Sequence, residues 1–186
     1  MITALDKHTA LILIDLQNGV VEMPVAHPVI AVLKNAAKLV AAFHKAGLPV
    51  VIVNVNPSGA AWTTARKEPS TMPSRAFKEN WTDIVPEIEI QSTDILITKT
   101  TWGAFYDTEL DEQLKENGIT GIVLAGISTS IGVEGTARQA SALGYNITFA
   151  QDAMTDLFIE AHENSLKYIF PRMGEIDVTE KIVKFV

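Results

Sequence analysis

The chain has 186 residues, 47% of them hydrophobic, which is enough to bury one substantial core and falls within the size range of a single domain. A net charge of -7 argues against nucleic acid and anionic membrane surfaces as partners, since both are held by a positive field. The complete absence of cysteine excludes disulfides, thiolate catalysis and cysteine-based zinc sites.

Apolar runs alternate with stretches of helical spacing along the chain. Ala10 to Ile14, Pro49 to Val55, Ile95 to Thr98, Gly121 to Ala125, Asn146 to Ala150 and the weaker Glu175 to Val178 read as strands. Val29 to Ala46 reads as the first long helix, stopped by Gly47-Leu48-Pro49. Tyr106 to Asn117, Ile131 to Leu143 and Glu160 to Phe170 read as later helices, ended by Asn117-Gly118, Gly144 and Pro171. Strands joined through helices predict a parallel sheet, here a three-layer α/β/α sandwich of six strands with a Rossmann-like arrangement, forming one domain over 1–186. The stretch from Asn56 to Thr93 breaks the rhythm. It is rich in Pro, Ser and Thr, carries Trp62 and Trp81, and is too long for an ordinary connection. Its tryptophans predict packing, either over the site or against a second subunit.

No run approaches the roughly 20 apolar residues that cross a bilayer, and no secretory signal pattern is present, so a cytoplasmic protein acting on a small molecule is expected. The four histidines, His8, His27, His44 and His162, show no ligand spacing, and no metal is expected. His162 opens the last long helix near a strand end, where it could support a site or cap the helix. No glycine pattern of a dinucleotide fold or P-loop follows any strand, so no cofactor is expected either.

Three places carry candidate chemistry. Asp15 ends the first strand in Leu13-Ile14-Asp15-Leu16-Gln17-Asn18-Gly19, where partial desolvation would raise its pKa and suit it to proton transfer. The alternative is an Asp that caps the loop through backbone amides. Lys99 ends the third strand, ahead of Trp102-Gly103-Ala104-Phe105, and could reach the same crevice or lie in solvent. The turn Gly126-Ile127-Ser128-Thr129-Ser130-Ile131-Gly132-Val133-Glu134 leads the fourth strand into a helix. Its N–H groups could bind an anion, or be capped by its own Ser and Thr oxygens. Its hydroxyls are nucleophiles only if a base lies beside them, and no histidine is near in sequence.

These three motifs, in this order and spacing, resemble the isochorismatase-like (cysteine hydrolase) superfamily over nearly the whole length. The likeness is greatest to a cysteine-free subgroup of bacterial hydrolases that share the Trp-Gly-Ala-Phe and Ile-Ser-Thr-x-Ile-Gly-Val-Glu strings. The resemblance implies a six-stranded parallel sheet between helices, with Asp15 and Lys99 catalytic. It also implies a non-proline cis peptide before Ser128. Most members have a cysteine nucleophile at the position of Gly132. True isochorismatases have glycine there and cleave a vinyl ether by protonating its carbon, so the resemblance implies hydrolysis of a small anionic molecule with Asp15 as acid and Gly132 in place of a nucleophile. The amides of Ser128 and Gly132 would bind the anion, and Asn56 and Gln17 would contact substrate; Trp102 and Phe105 are candidate pocket walls, because small-molecule sites are mostly apolar, or else core or interface aromatics. Asn56-Pro57 stands where isochorismatases have Gln-Pro. Ser128-Thr129-Ser130 stands where they have Tyr-Ala-His, and the metal-binding histidines of nicotinamidases have no counterpart. Family habit implies a homo-oligomer, dimer or tetramer. The alternatives are a catalytically silent binding or oligomerisation protein and an amidase using an alcohol such as Ser130.

Overall fold

The computed structural model describes residues 1–56, 58 and 78–186. Six strands form one all-parallel sheet: β1 (Thr9–Ile14), β2 (Val50–Val55), β3 (Ile95–Lys99), β4 (Gly121–Ile127), β5 (Asn146–Thr155) and β6 (Gly174–Asp177), in the order β3-β2-β1-β4-β5-β6. The helices are α1 (Asn18–Val21), α2 (Val29–Ala46), α3 (Leu110–Glu116), α4 (Glu134–Leu143), α5 (Ile159–Asn164) and α6 (Thr179–Ile182).

The central strand β1 is buried at every residue, as a strand covered on both faces must be. Leu11 and Leu13 face one core with Leu33, Leu39, Val40 and Phe43 of α2 and Ile182 of α6. Ala10, Ile12 and Ile14 face the other, with Leu110 and Leu114 of α3, Ala137 and Ala140 of α4, and Phe170. Period-two alternation along one strand therefore builds both outer layers onto the sheet. The predicted α/β/α sandwich is the observed architecture.

Helix α2 has the predicted bounds and ends on Gly47, whose φ of 68° allows the left-handed turn. The expected helix from Tyr106 starts only at Leu110. Asp107 takes a φ of 54°, and the Thr108 hydroxyl accepts the Leu110 amide at 3.3 Å, so the chain turns before it coils. The chain coils already at Thr129, two residues before the expected helix start at Ile131, and residues 129–133 and 165–169 form π-helical turns. Strand β5 runs past Ala150 to Thr155, and its register with β4 shifts between Leu124 and Gly126.

The long segment after β2 is described from Lys78 onward, and there it is docked. Trp81 packs against the α2-side core, Gln17 pairs with Ile84 in an antiparallel bridge, and Leu16 accepts the Val85 amide at 3.1 Å. Trp62 and Pro57 lie outside the described residues. Among the described residues, no helix is long and apolar enough to cross a membrane.

Candidate active site

The strand order reverses direction between β1 and β4, and a crevice above the carboxyl ends of two such strands is where open α/β sheets bind ligands. Asp15 leaves β1 and Ser128 leaves β4 at that point. The two strands come very close there: Gly126 has a φ of 127°, and a Cβ on it would fall on the Ile14 carbonyl oxygen. No other residue type fits.

Asp15 continues the ladder, its amide donating to Val53 O at 2.9 Å, but its φ is 53°, a left-handed value that a non-glycine residue adopts at a cost. That conformation turns the carboxyl inward. Asp15 is 5% exposed and Lys99, from the end of β3, 2%. Lys99 Nζ donates to Asp15 Oδ2 at 2.7 Å and to Thr101 O at 3.2 Å. Asp15 Oδ1 is buried without a partner among the described residues. Burial pushes the Asp15 pKa up to about 6, with Lys99 opposing through its charge and hydrogen bond. A buried carboxyl with one oxygen paired and one unpaired is poised to exchange a proton with whatever occupies the second position.

Gly132 lies in the π-helical turn directly after β4, and a Cβ built on it would sit 3.1 Å from Asp15 Oδ2 and 2.9 Å from Ile14 Cγ2. Position 132 thus faces the acid. The peptide between Ile127 and Ser128 is cis, as the resemblance implied. Ser128 O accepts the amides of Ile131 at 3.2 Å and Val133 at 3.1 Å, which closes the turn.

Other expectations need correction. Gln17 is fully buried, and its amide is spent on the backbone, donating to Val55 O at 3.0 Å and Trp81 O at 3.1 Å while accepting from Val55 N at 2.7 Å. It ties β1, β2 and the docked segment together, and with both donors used and no exposed surface it does not line the crevice. Phe105 is also diverted. Its ring stacks on Tyr145 with centroids 5.8 Å apart, and its amide donates to Gln139 Oε1 at 3.0 Å, so it packs along α4. Trp102 is exposed beyond β3. Asn56 is exposed too; its amide donates to Lys99 O at 2.8 Å and its Oδ1 accepts from Ser58 N at 3.2 Å, so it braces the strand end that carries Lys99.

Sequence reasoning missed Asp156. This carboxylate, just past β5, accepts the Ser130 amide at 2.7 Å through Oδ2 and the Leu157 amide at 2.8 Å through Oδ1, so one donor of the expected anion-binding turn is already capped internally. It also missed a base for the turn: His162 Nδ1 lies 2.8 Å from Thr129 Oγ1. Thr129 has no exposed surface, however, so this hydroxyl cannot reach a substrate. Among the described residues, no group of three or more His, Asp or Glu side chains could hold a metal ion.

A model of the isochorismatase domain matches residues 9–180. The chain is 43% identical over 180 residues to the isochorismatase family protein YwoC of Bacillus subtilis (strain 168), covering 96% of this chain and 94% of that one. It is 29% identical over 206 residues to the ureidoacrylate amidohydrolase RutB of Acinetobacter baylyi, covering 95% and 83%. Among solved structures, an isochorismatase family protein from Burkholderia thailandensis superposes with a TM-score of 0.90 at 35% identity, covering 100% of this chain and 98% of that one.

Proposed function

The chain belongs to the isochorismatase family of hydrolases, and on that premise we propose that it hydrolyses a small anionic molecule by general-acid catalysis from Asp15, with a vinyl ether as the bond cleaved. The observation that carries this reading is the Asp15 carboxyl itself, buried, raised to about 6 and with Oδ1 unpartnered among the described residues, opposite a position that offers no nucleophilic side chain. Protonated Asp15 delivers its proton to the terminal carbon of the vinyl ether. The positive charge is then shared between the neighbouring carbon and the ether oxygen. Water adds to that carbon and returns a proton to the Asp15 carboxylate, and the resulting hemiketal collapses to a carbonyl product and an alcohol. No covalent enzyme intermediate is required. Lys99 keeps the carboxylate that forms after proton transfer from being left without a counter-charge.

An amidase route through an alcohol would need a hydroxyl and base open to substrate; among the described residues the pair found, Thr129 with His162, is buried, and Ser130 meets Asp156 through its backbone amide. The test is pyruvate release from isochorismate by the chelator-treated protein, coupled to lactate dehydrogenase, with Asp15→Asn as control. Turnover that the variant lacks supports the reading. Full activity in Asp15→Asn overturns the role of the acid, and no pyruvate from the wild type overturns the vinyl-ether assignment.

A further inference from the structure

The turn that brings Gly132 to Asp15 is held from behind by a polar cluster, buried but for the half-buried His27, that takes no part in the proposed reaction. His162, on α5, is 5% exposed, and its Nδ1 pairs with Thr129 Oγ1 at 2.8 Å. The ring of His27 lies against that of His162, with centroids 4.7 Å apart. His27 in turn holds Thr155 Oγ1 through its ring Nδ1 at 2.9 Å and its amide at 3.2 Å. The neighbouring Ala26 amide donates to Asp156 O at 2.7 Å, while Asp156 Oδ2 takes the Ser130 amide. Contacts therefore run from the segment leading out of the Asp15 loop to Thr129 through His27 and His162, and to Ser130 through Ala26 and Asp156, three and two residues before Gly132.

We propose that His162 is a positioning residue for the site: through Thr129 it fixes the π-helical turn, and with it the placement of Gly132 over the Asp15 carboxyl. This inference rests on the reading of Asp15 as the reactive acid. Thr129 is completely buried, which rules out attack on substrate and leaves its hydroxyl a holding function. Burial and the neighbouring His27 keep His162 towards its neutral form, against the pull of Asp156 and Glu163, so Nδ1 can either accept or donate. A turn pinned at 129 by an imidazole and at 130 by a carboxylate has little freedom to move away from Asp15. If it did move, water would reach the carboxyl and remove the burial that raises it.

The experiment follows the Asp15 carboxyl titration by carbon-13 NMR, with thermal unfolding in parallel. Thr129→Val and His162→Leu keep volume but lose the hydrogen bond. Thr129→Ser and His162→Asn keep a polar atom in the right place. The midpoint is expected to fall by about one pH unit or more in the first pair and to stay with the wild type in the second. His162→Gln, whose amide lies one bond further out, is expected to give a smaller fall and serves if the apolar variants do not fold. An unchanged midpoint in the Val, Leu and Gln variants that fold, whatever their loss of stability, overturns the proposal. The titration needs no substrate, so failure of the vinyl-ether reading in the pyruvate assay is read separately.

Discussion

A Cβ on Gly132 would come within 3.1 Å of Asp15 Oδ2 and 2.9 Å of Ile14 Cγ2, so the glycine and the acid touch across the crevice between β4 and β1. Two effects of Gly132→Ala then oppose each other. Helix propensity alone favours alanine by about 1 kcal/mol. Crowding against a packed isoleucine and a buried carboxyl costs about 1–3 kcal/mol. Because a contact under 3.0 Å forces Ile14 to shift, crowding is expected to win. Urea unfolding should show a net loss of stability together with a fall in kcat/KM. A more stable, fully active Gly132→Ala protein would reduce the glycine to a helix-start residue.

The Asp15 pKa sets a pH profile with a definite sign. As general acid, Asp15 works in its protonated form, so kcat/KM should be high at acid pH and decline as pH rises through about 6. A profile that rises through the same value would assign Asp15 the role of base instead. Stability carries the same sign. The folded value lies above the ordinary 3.8, so the contribution of this group is fully present below 3.8 and is lost as pH climbs through about 6. Asp15→Asn should remove that part of the dependence from a pH series of unfolding curves.

Lys99 opposes burial at Asp15, and Lys99→Met therefore tests the pair from the other side. Methionine fills similar space without a charge, and the remaining carboxyl, still buried, should move further up from about 6. The falling limb of the kcat/KM profile should shift to higher pH in this variant. The carboxylate left after proton transfer would then have no counter-charge, so the plateau is expected to drop by about tenfold to a hundredfold. A profile superposing on the wild type would show that the ion pair does not govern the acid.

Where chemistry and pattern coincided, the sequence was legible. The central strands are legible because a strand buried on both faces must be an apolar run, the half-buried edge strand β6 leaves only a weak one, and Asp15 and Lys99 stand out as charges at strand ends. What escaped was contact between distant segments. Asp156 caps Ser130 across 26 residues, and His162 meets Thr129 across 33, separations at which spacing rules say nothing. For Phe105 the sequence leaves pocket wall and packed aromatic both open, because an aromatic after Gly-Ala carries no mark of direction. It is the Gln139 and Tyr145 contacts, made on folding, that turn it along α4.

Gln17 was misread for the same reason, and it yields the clearest stability prediction. Its side chain makes three hydrogen bonds to backbone groups of Val55 and Trp81, in a position with no exposure. Gln17→Ala would strand a buried amide and carbonyl groups that water reaches poorly, at a cost of about 2–4 kcal/mol. Gln17→Glu would keep the acceptor for Val55 N, but it would set a carboxylate against the two carbonyls that the amide now serves, so it should be no better tolerated. Urea unfolding should place both variants well below the wild type. Because the residue holds the docked 78–88 segment to the loop that begins with Asp15, proteolysis after Lys78 should accelerate at concentrations of urea where the rest of the fold is intact. Loss of activity without loss of stability in Gln17→Ala would instead return this residue to the substrate.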